Sequence, residues 1–499
     1  MASIASNRYT RWFWLLIAGV TIVRLVMALI LGPAPQEAYY WNYSKHLALS
    51  YYDHPPLTAY LIYTSTSIFG DNRFGIHFAA IFVSLILAIV LFFFIGKTFD
   101  KRIAFWSVVL GETTFIFALG GLIITPDGPM LLFWTLTMFA LFGAVGSDKI
   151  SWWIFSGIFM GAAFYSKYPA GLVAIAAFIY LIGNKNRRKL LARPGPYIAA
   201  ILSMLVFLPV LIWNYRHGWA SFVFQSEHRL SESVAFRFDY LLGFIGSQFG
   251  VVGIFLLPLF FWGLIRTIKL NSGDNKTALF WWFTVVPLVA FTLVSPFHYV
   301  KMNWLAPAYL SGLPLAVFYY MNSKGKFLRS YGKFALIVSL IFTLEIHVLA
   351  VVPIIGFGRA DTINGWQTLA NRVDEIKGEM QKDGPLFICG YEYKTASELR
   401  FYLKGQPETL SNSIVGQNGL AYDYWSDPDS LVGKNCIFVY DQRNRYHDPA
   451  RLADFFERVE APEVLTVASA GKKITDFFIY QCYRYGEPYG DNDYRSAGD

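Results

Sequence analysis

The chain has few charged residues, few cysteines and none of the common nucleotide-binding motifs. Of its 499 residues, only 15% are charged, whereas soluble globular proteins average about 25%. No Walker motif, dinucleotide fingerprint or kinase signature is present. The three cysteines, Cys389, Cys436 and Cys482, form no CxxC and no Cys/His metal pattern. These absences argue against an ordinary soluble enzyme and against a nucleotide substrate. Each cysteine lies in an apolar run, which predicts buried thiols; a disulfide stays open if that region is exported.

Long apolar segments take up most of the sequence. Hydrophobic residues make up 55% of the chain, aromatic residues 18%, and the mean hydropathy is +0.40. Apolar runs near 20 residues recur through the first 355 positions, and runs of that length cross a bilayer as helices. The sequence therefore predicts a polytopic α-helical membrane protein. We expect about eleven spans, near 12–32, 75–96, 103–121, 129–147, 151–164, 168–183, 196–213, 241–265, 278–295, 303–321 and 334–355.

The distribution of basic residues predicts the orientation. The net charge is +8, which in a membrane protein need not indicate nucleic acid, and no nucleic-acid partner is predicted. With the amino terminus inside, the inner loops carry 16 Lys and Arg residues and the outer loops carry 7. Cytoplasmic loops are enriched in these residues. An odd number of spans then places the carboxy-terminal region outside.

Residues 356–485 have a different pattern and are predicted to form a separate domain. Residues Trp366, Leu369, Val373, Ile376 and Met380 recur at helical spacing. Short apolar runs predict strands at 386–389, 436–440, 464–468 and 477–482. We therefore expect a transmembrane domain at 1–355, a small extracytoplasmic α/β domain at 356–485 and a flexible tail at 486–499.

Two charged residues are predicted to lie inside the membrane. Arg24 falls within the first span and Glu112 within the third, at similar depths. Isolated charges are costly in hydrocarbon. The simplest expectation is a structural ion pair between them, and a functional role is the alternative.

The first predicted outer loop carries carboxylates, a histidine and many aromatic residues. Tyr39, Tyr40, Trp41 and Tyr43 suit an amphipathic helix at the membrane interface; the alternative is a wall that binds sugar or lipid. In Asp53-His54-Pro55-Pro56, two prolines fix an extended turn and hold the carboxylate and imidazole in place.

The other outer loops add further polar candidates. Asp127 lies between two prolines at the start of a span, as a helix N-cap, a functional carboxylate or both. Lys167 binds an anion or extends to the interface. The remaining candidates are Gln225, His228, Arg229, His298, Lys301, Asn303 and Trp304.

These carboxylates and cations are all predicted to lie on the outer face. Carboxylates can act as a general base or bind a metal, and cations stabilise a departing phosphate. This combination suits group transfer from a phosphate-linked lipid donor. A transporter or flippase would instead place its essential ionisable residues at mid-membrane.

Several motifs together resemble bacterial glycosyltransferases of the GT-C superfamily. They are QEAYYW and YYDHPP within 36–56, ITPDGP at 124–129, SKYPAG at 166–171, KMNWLAPAYL at 301–310, and GWQTLANRV and ASELRFYLKGQP in the carboxy-terminal region. The sequence is most similar to the bacterial relatives of protein O-mannosyltransferases and to the aminoarabinose transferases that modify lipid A.

The resemblance implies an inverting transfer from a polyprenyl-phosphate sugar to a lipid A-like lipid or a glycan. It would occur on the outer face of the bacterial inner membrane. Glu37 and Asp127 are the expected catalytic carboxylates. His54, Lys167, Arg229 and Lys301 are expected at the donor phosphate, and Tyr40, Gln225, His228, Asn303 and Trp304 at the substrates. Some relatives use a divalent metal; Asp53, with His298 or His54, would be its ligands here.

One residue departs from the family pattern. The family usually has Asp-Glu before Ala-Tyr-Tyr-Trp, whereas this chain has Gln36-Glu37. A glutamine cannot accept a proton at neutral pH, so Glu37 or Asp127 would act as the base, or the acceptor needs little activation. A protein O-mannosyltransferase-like enzyme and a non-catalytic lipid transporter, flippase or assembly subunit remain the alternatives.

Overall fold

The computed structural model describes residues 2–228, 235–270, 274–351, 358–443 and 449–486. It consists of two compact units. The first, here called the helical unit, comprises Met1–Leu29, His54–Leu61 and His77–His347. The second, called the sheet unit, comprises Ile30–Asp53, Ile62–Ile76 and Val348–Asp499. Most of the first predicted outer loop therefore belongs with the carboxy-terminal region.

Nineteen α-helices are formed by the described residues. They are α1 (Ala2–Ile30), α2 (Pro35–Lys45), α3 (Leu57–Phe69), α4 (Arg73–Thr98), α5 (Lys101–Glu112), α6 (Phe115–Gly120), α7 (Asp127–Ser147), α8 (Ile150–Phe164), α9 (Gly171–Ile182), α10 (Lys185–Arg188), α11 (Pro194–Arg216), α12 (Ala220–Val223), α13 (Phe238–Val252), α14 (Leu256–Leu270), α15 (Asn275–Val294), α16 (Ala306–Asn322), α17 (Lys326–Val351), α18 (Trp366–Met380) and α19 (Tyr393–Tyr402).

The chain is a multi-pass membrane protein, but the predicted count of eleven spans is not confirmed. Among the described residues, six helices are long and apolar enough to cross a bilayer, or up to eight if each bent pair is one span. The run predicted as one span at 241–265 forms α13 and α14, which are bent by 101°. The bend falls at Gly253, whose φ of +106° suits glycine. The run at 103–121 is divided between α5 and the short helix α6.

Close helix packing in the helical unit depends on small residues. Gly157 and Gly161 lie one turn apart on α8 and face α11. A Cβ atom at Gly157 would lie 2.4 Å from the Ala199 carbonyl oxygen, and one at Gly161 would lie 2.6 Å from that of Ser203. Membrane helices approach closely where small residues recur at this spacing. A side chain at either glycine would force α8 and α11 apart.

The sheet unit contains one six-stranded mixed sheet. Its strands are β1 (Leu386–Gly390), β2 (Thr409–Leu410), β3 (Asn435–Asp441), β4 (Phe456–Val459), β5 (Glu463–Ser469) and β6 (Lys472–Tyr485). The order is β2-β1-β3-β6-β4, and β5 also pairs with β6. The first three strands are parallel, and β6 is antiparallel to its neighbours. The four predicted strands are confirmed as β1, β3, β5 and β6; β2 and β4 were not predicted.

Alternating side chains give the sheet two buried faces. Ile388, Ile437 and Val439 pack against the apolar stripe of α18, which runs from Trp366 to Met380 and confirms the predicted helix. On the other face, the three cysteines lie together in a second core. They are buried free thiols, as predicted. The predicted tail falls outside the described residues except for Gly486.

Candidate functional site

Asp127 lies at the centre of a polar cluster in the helical unit. One carboxylate oxygen accepts a hydrogen bond from the Lys167 Nζ at 2.7 Å, and the other accepts one from the Asn303 Nδ2 at 2.7 Å. The lysine and the aspartate are both buried. The three residues, predicted from three different outer loops, are therefore brought together.

The structure decides between two interpretations for Asp127 and two for Lys167. Helix α7 begins at Asp127, the N-cap residue is Pro126, and in this described segment no side chain caps the helix. The interpretation of Asp127 as an N-cap is therefore wrong, although its charge still lies in the first turn, where the helix dipole favours it. Lys167 does not extend towards the interface, because its ammonium group is buried against Asp127.

A cavity of about 260 Å³ opens beside this cluster within the helical unit. Asp127, Asn303 and Thr125 form polar parts of its wall. The rest is mainly apolar and comes from α4, α5, α6, α7, α13 and α16, with Val83, Leu87, Leu131, Val251, Leu310 and Leu313 among the lining residues. A mainly apolar cavity with a few polar groups in its wall suits a ligand that has a polar head and a hydrocarbon chain.

An ion pair borders the same cavity. The Arg24 Nη2 donates to the Glu112 Oε2 at 2.7 Å, and Arg24 is 3% exposed. The same nitrogen donates to the carbonyl oxygens of Phe117 and Ala118 on α6, at 3.2 and 3.3 Å. Glu112, Phe117 and Gly121 line the cavity. The predicted intramembrane pair is thus confirmed, and it fixes a broken helix that forms part of the cavity wall.

Other contacts join the predicted outer loops of the helical unit. The Leu57 amide donates to the Tyr165 carbonyl oxygen at 3.3 Å, which links the segment after His54 to the loop of Lys167. The rings of Tyr168 and Phe222 lie 5.7 Å apart. The Arg237 amide donates to the Pro296 carbonyl oxygen at 2.7 Å. These contacts join predicted outer loops to one another within the helical unit.

The remaining site residues that were predicted in the helical unit differ in how deeply they are buried. His54, Gln225, His298 and Asn303 are partly buried, and Lys301 is exposed. Trp304 packs against Phe291 with ring centroids 5.3 Å apart, so its ring contributes to the core of the bundle. The His228 side chain and Arg229 lie outside the described residues.

In the sheet unit, helix α2 carries Glu37, the carboxylate next to Gln36, which stands where the family pattern usually has an aspartate. Glu37 is fully buried, and its Oε2 accepts a hydrogen bond from the Ala34 amide at 3.0 Å. The Gln36 Nε2 donates to the Tyr40 hydroxyl at 3.1 Å, and the Gln36 Oε1 accepts from the Tyr393 hydroxyl at 3.4 Å. The amide at the usual base position is thus fixed between two tyrosines.

The aromatic residues of α2 are not placed on a membrane surface. Tyr39, Tyr40, Trp41 and Tyr43 are at most 3% exposed. The rings of Tyr39 and Tyr393 lie 4.4 Å apart, so α2 packs on α19. The expectation of an interfacial anchor is therefore corrected: these rings fill the core of the sheet unit.

Asp53 is buried at the end of the same segment. It accepts hydrogen bonds from the hydroxyls of Tyr39, at 3.1 Å, and Tyr43. Burial raises the pKa of both phenols well above the usual range, and the Asp53 charge raises it further. Both tyrosines therefore remain protonated donors, which stabilises a charged carboxylate.

The described residues provide little support for a metal centre. They contain no group of three or more His, Cys, Asp and Glu side chains placed to hold a metal ion. The carboxylate of Asp53 is already engaged by two tyrosines. The use of Asp53 and His298 as ligands stays a prediction, and we derive no step through a metal.

Two residues of α19 were not singled out from the sequence. Glu398 is fully buried, and the Arg400 Nη1 donates to the Asn42 Oδ1 at 3.0 Å, across the α2–α19 contact. Both lie in ASELRFYLKGQP, a motif noted only for its resemblance. The signal available in the sequence was that these two charged residues stand beside the apolar residues Leu399 and Phe401.

The fold and this site define a multi-pass membrane protein with a buried polar cluster where its predicted outer loops meet. Residues 53–213 match the family described as "Dolichyl-phosphate-mannose-protein mannosyltransferase". A solved structure of ArnT from Cupriavidus metallidurans bound to undecaprenyl phosphate shares the fold. Its TM-score is 0.62 at 14% identity, and the match covers 94% of this chain and 98% of that one.

Curated relatives include sugar transferases, one of which is named for lipid A. The lipid A galacturonosyltransferase RgtD of Rhizobium johnstonii is 28% identical over 333 residues, 66% of this chain and 70% of that protein. An undecaprenyl phosphate-α-4-amino-4-deoxy-L-arabinose arabinosyl transferase of Pseudomonas savastanoi is 27% identical over 257 residues, 50% of this chain and 41% of that protein. The chain thus spans about two fifths of the length of the second relative. These matches confirm the predicted resemblance to bacterial GT-C glycosyltransferases.

Proposed function

We propose that the protein is an inverting membrane glycosyltransferase with a polyprenyl-phosphate sugar as donor and a lipid A-like lipid or a glycan as acceptor. The observation that carries this proposal is the polar cluster of Asp127, Lys167 and Asn303 beside a mainly apolar cavity. The names of the relatives support both the donor class and the acceptor class. The transfer would occur on the outer face of the bacterial inner membrane, with the carboxy-terminal region in the periplasm.

Asp127 is the best candidate for the base. Its carboxylate lines the cavity, whereas Glu37 is fully buried and bonded to the start of its own helix. An ionised carboxylate has about four lone-pair sites, so Asp127 can bind Lys167 and Asn303 and still accept an acceptor proton. Glu37 stays a candidate through its place on α2.

In this mechanism, the acceptor hydroxyl loses its proton to Asp127 and its oxygen attacks the anomeric carbon. The bond from that carbon to the phosphate oxygen breaks, and the polyprenyl phosphate leaves with the negative charge. Lys167 holds Asp127 and adds positive charge near the leaving phosphate; His54, Arg229 and Lys301 are the further candidates for that charge. If the acceptor is itself ionised, Asp127 orients it without removing a proton.

A protein acceptor is the second candidate, because the matching family is described by protein mannosyl transfer. The relative named as a lipid A galacturonosyltransferase favours the lipid acceptor. A transfer assay separates the two. Purified protein would receive polyprenyl-phosphate galacturonate, aminoarabinose or mannose, with lipid A or a Ser/Thr-containing peptide as acceptor and mass spectrometry as the readout.

We expect a sugar-mass increase on lipid A. An increase on the peptide alone would replace the lipid assignment with the protein assignment. If no donor is consumed with any acceptor, the enzyme proposal is wrong, and a test of lipid transport in vesicles becomes the next experiment.

A further inference from the structure

Among its described residues, the sheet unit contains a buried carboxyl group with no hydrogen-bond donor to stabilise a negative charge. Glu398 lies on α19 and is fully buried. Neither of its carboxylate oxygens has a hydrogen-bond partner among the described residues. An unpartnered ionised carboxylate is costly in a protein interior, and such groups usually become neutral instead.

A second buried carboxylate makes a charge on Glu398 still less favourable. Glu37, on the packed helix α2, is also fully buried. Two neighbouring carboxylates disfavour double ionisation. Glu37 has the Ala34 amide as a donor at the start of α2, where the helix dipole favours negative charge. Of the two groups, Glu398 is therefore the one expected to hold a proton.

Other titratable and charged groups around this contact do not reverse the conclusion. Burial is the largest cause that raises the pKa of Glu398 well above its usual range; the Glu37 charge adds to it, and Arg443 opposes it. Arg443 is bound to Asp441, and Arg400 to Glu408. The nearby Tyr402 phenol is itself held protonated, because burial and the charges of Glu398 and Glu37 raise its pKa, while Arg73 opposes the shift.

We propose that Glu398 is a positioning residue whose protonated, neutral form allows helix α2 and its Gln36-Glu37 pair to pack against α19. The contacts around it tie the same two helices together. Tyr393 donates to Gln36 at 3.4 Å, Arg400 donates to Asn42 at 3.0 Å, and the rings of Trp41 and Phe401 lie 5.3 Å apart. Loss of the Glu398 proton introduces an unpartnered charge at this contact and releases α2.

The proposal predicts a pH dependence of definite sign. A carboxyl whose pKa is higher in the folded state binds more protons there than in the unfolded chain. Its contribution to stability is fully present below the unfolded pKa and is lost as the pH rises through the folded one. Asp423, whose pKa burial raises to about 6, contributes in the same direction but only up to about pH 6. Burial also raises the pKa of Glu392 and of the Cys389 and Cys436 thiols, so the share of Glu398 above about pH 6.5 is the part of the slope that its substitution removes.

The test compares wild type, Glu398→Gln and the exposed control Glu379→Gln, each as purified full-length protein. We expect the Tm of wild type to fall between about pH 6.5 and about pH 9, and Glu398→Gln to remove most of that slope, because an amide imitates a protonated carboxyl. The control should keep the slope. The infrared carbonyl band of a protonated carboxyl should be present at about pH 7 in wild type and weaker in Glu398→Gln.

The activity readout rests on the proposed function, whereas the Tm and infrared readouts do not. Glu398→Gln should retain transfer within about twofold at neutral pH and keep it at alkaline pH, where wild type declines. An absent carbonyl band, or an unchanged Tm slope in Glu398→Gln, would overturn the proton assignment. Normal infrared and Tm results without any transfer would instead count against the glycosyltransferase proposal.

Discussion

Two buried carboxyl groups in the two units are stabilised in opposite ways. Asp127, in the helical unit, has Lys167 and Asn303 as partners, one for each oxygen. Glu398, in the sheet unit, has no hydrogen-bond partner among the described residues. Burial alone therefore does not indicate the charge state of a carboxyl group; the donors around it do. A carboxylate held in its charged form can accept a proton or orient a substrate, whereas a neutral carboxyl is suited to packing.

The largest expected effect follows from removal of the Asp127 charge. Asp127→Asn keeps the size of the side chain but cannot accept a proton, so we expect transfer to fall by at least about 100-fold, as is usual for loss of a general base. Single-turnover assays with a polyprenyl-phosphate sugar would measure the change. Asp148→Asn is the matched control, because Asp148 pairs with Arg193 in the predicted inner loop. Full transfer by Asp127→Asn would assign the base to another group.

The sequence indicated Asp127 as a site residue but did not indicate Glu398. Asp127 stood out because a carboxylate between two prolines at the start of an apolar run has few structural explanations. Glu398 did not, since helix α19 alone does not reveal which element covers it. The α2–α19 contact joins residues more than 350 positions apart, and no local periodicity specifies such a pairing.

The fold was predicted well where local patterns decide it. The short, continuous apolar runs of β1 and β3 and the apolar stripe of α18 were sufficient to predict these two strands and the helix that covers them. The prediction of one span at 241–265 did not include its bend, because hydropathy gives the length of an apolar run but not its direction. There the left-handed backbone of Gly253 turns the chain by 101° between α13 and α14.

A second way to sharpen the comparison is to break the intramembrane pair. Arg24→Gln leaves Glu112 without its cation and frees two carbonyl groups of α6. Loss of one member of a buried pair typically costs about 3–5 kcal/mol. We expect a lower Tm and weaker binding of a polyprenyl phosphate, since α6 lines the cavity.

The double variant Arg24→Gln/Glu112→Gln provides the control for this prediction. It should recover part of the stability, because no uncompensated charge remains. Equal losses in the single and double variants would mean that Arg24 acts through its contacts with α6 rather than through Glu112.

Removal of a hydrogen-bond donor to Asp53 should have an intermediate effect on the Tm. Tyr43→Phe removes one of the two phenol hydroxyls that support this buried carboxylate. A buried acceptor that loses a donor costs about 1–3 kcal/mol, so the Tm should fall measurably. Tyr63→Phe, at an exposed position, should have no comparable effect. An unchanged Tm in Tyr43→Phe would show that Tyr39 alone is sufficient.

The smallest effect is expected where charges pair at the surface. Arg372 donates to both oxygens of Glu463, each at 2.7 Å, but both side chains are about one-third exposed. Water and salt screen such pairs, which are typically worth about 0–1 kcal/mol. Arg372→Gln should therefore change the Tm only slightly, and the change should disappear in high salt. A decrease in Tm as large as that of Arg24→Gln would mean that the geometry of an ion pair, rather than its burial, decides how much it stabilises this protein.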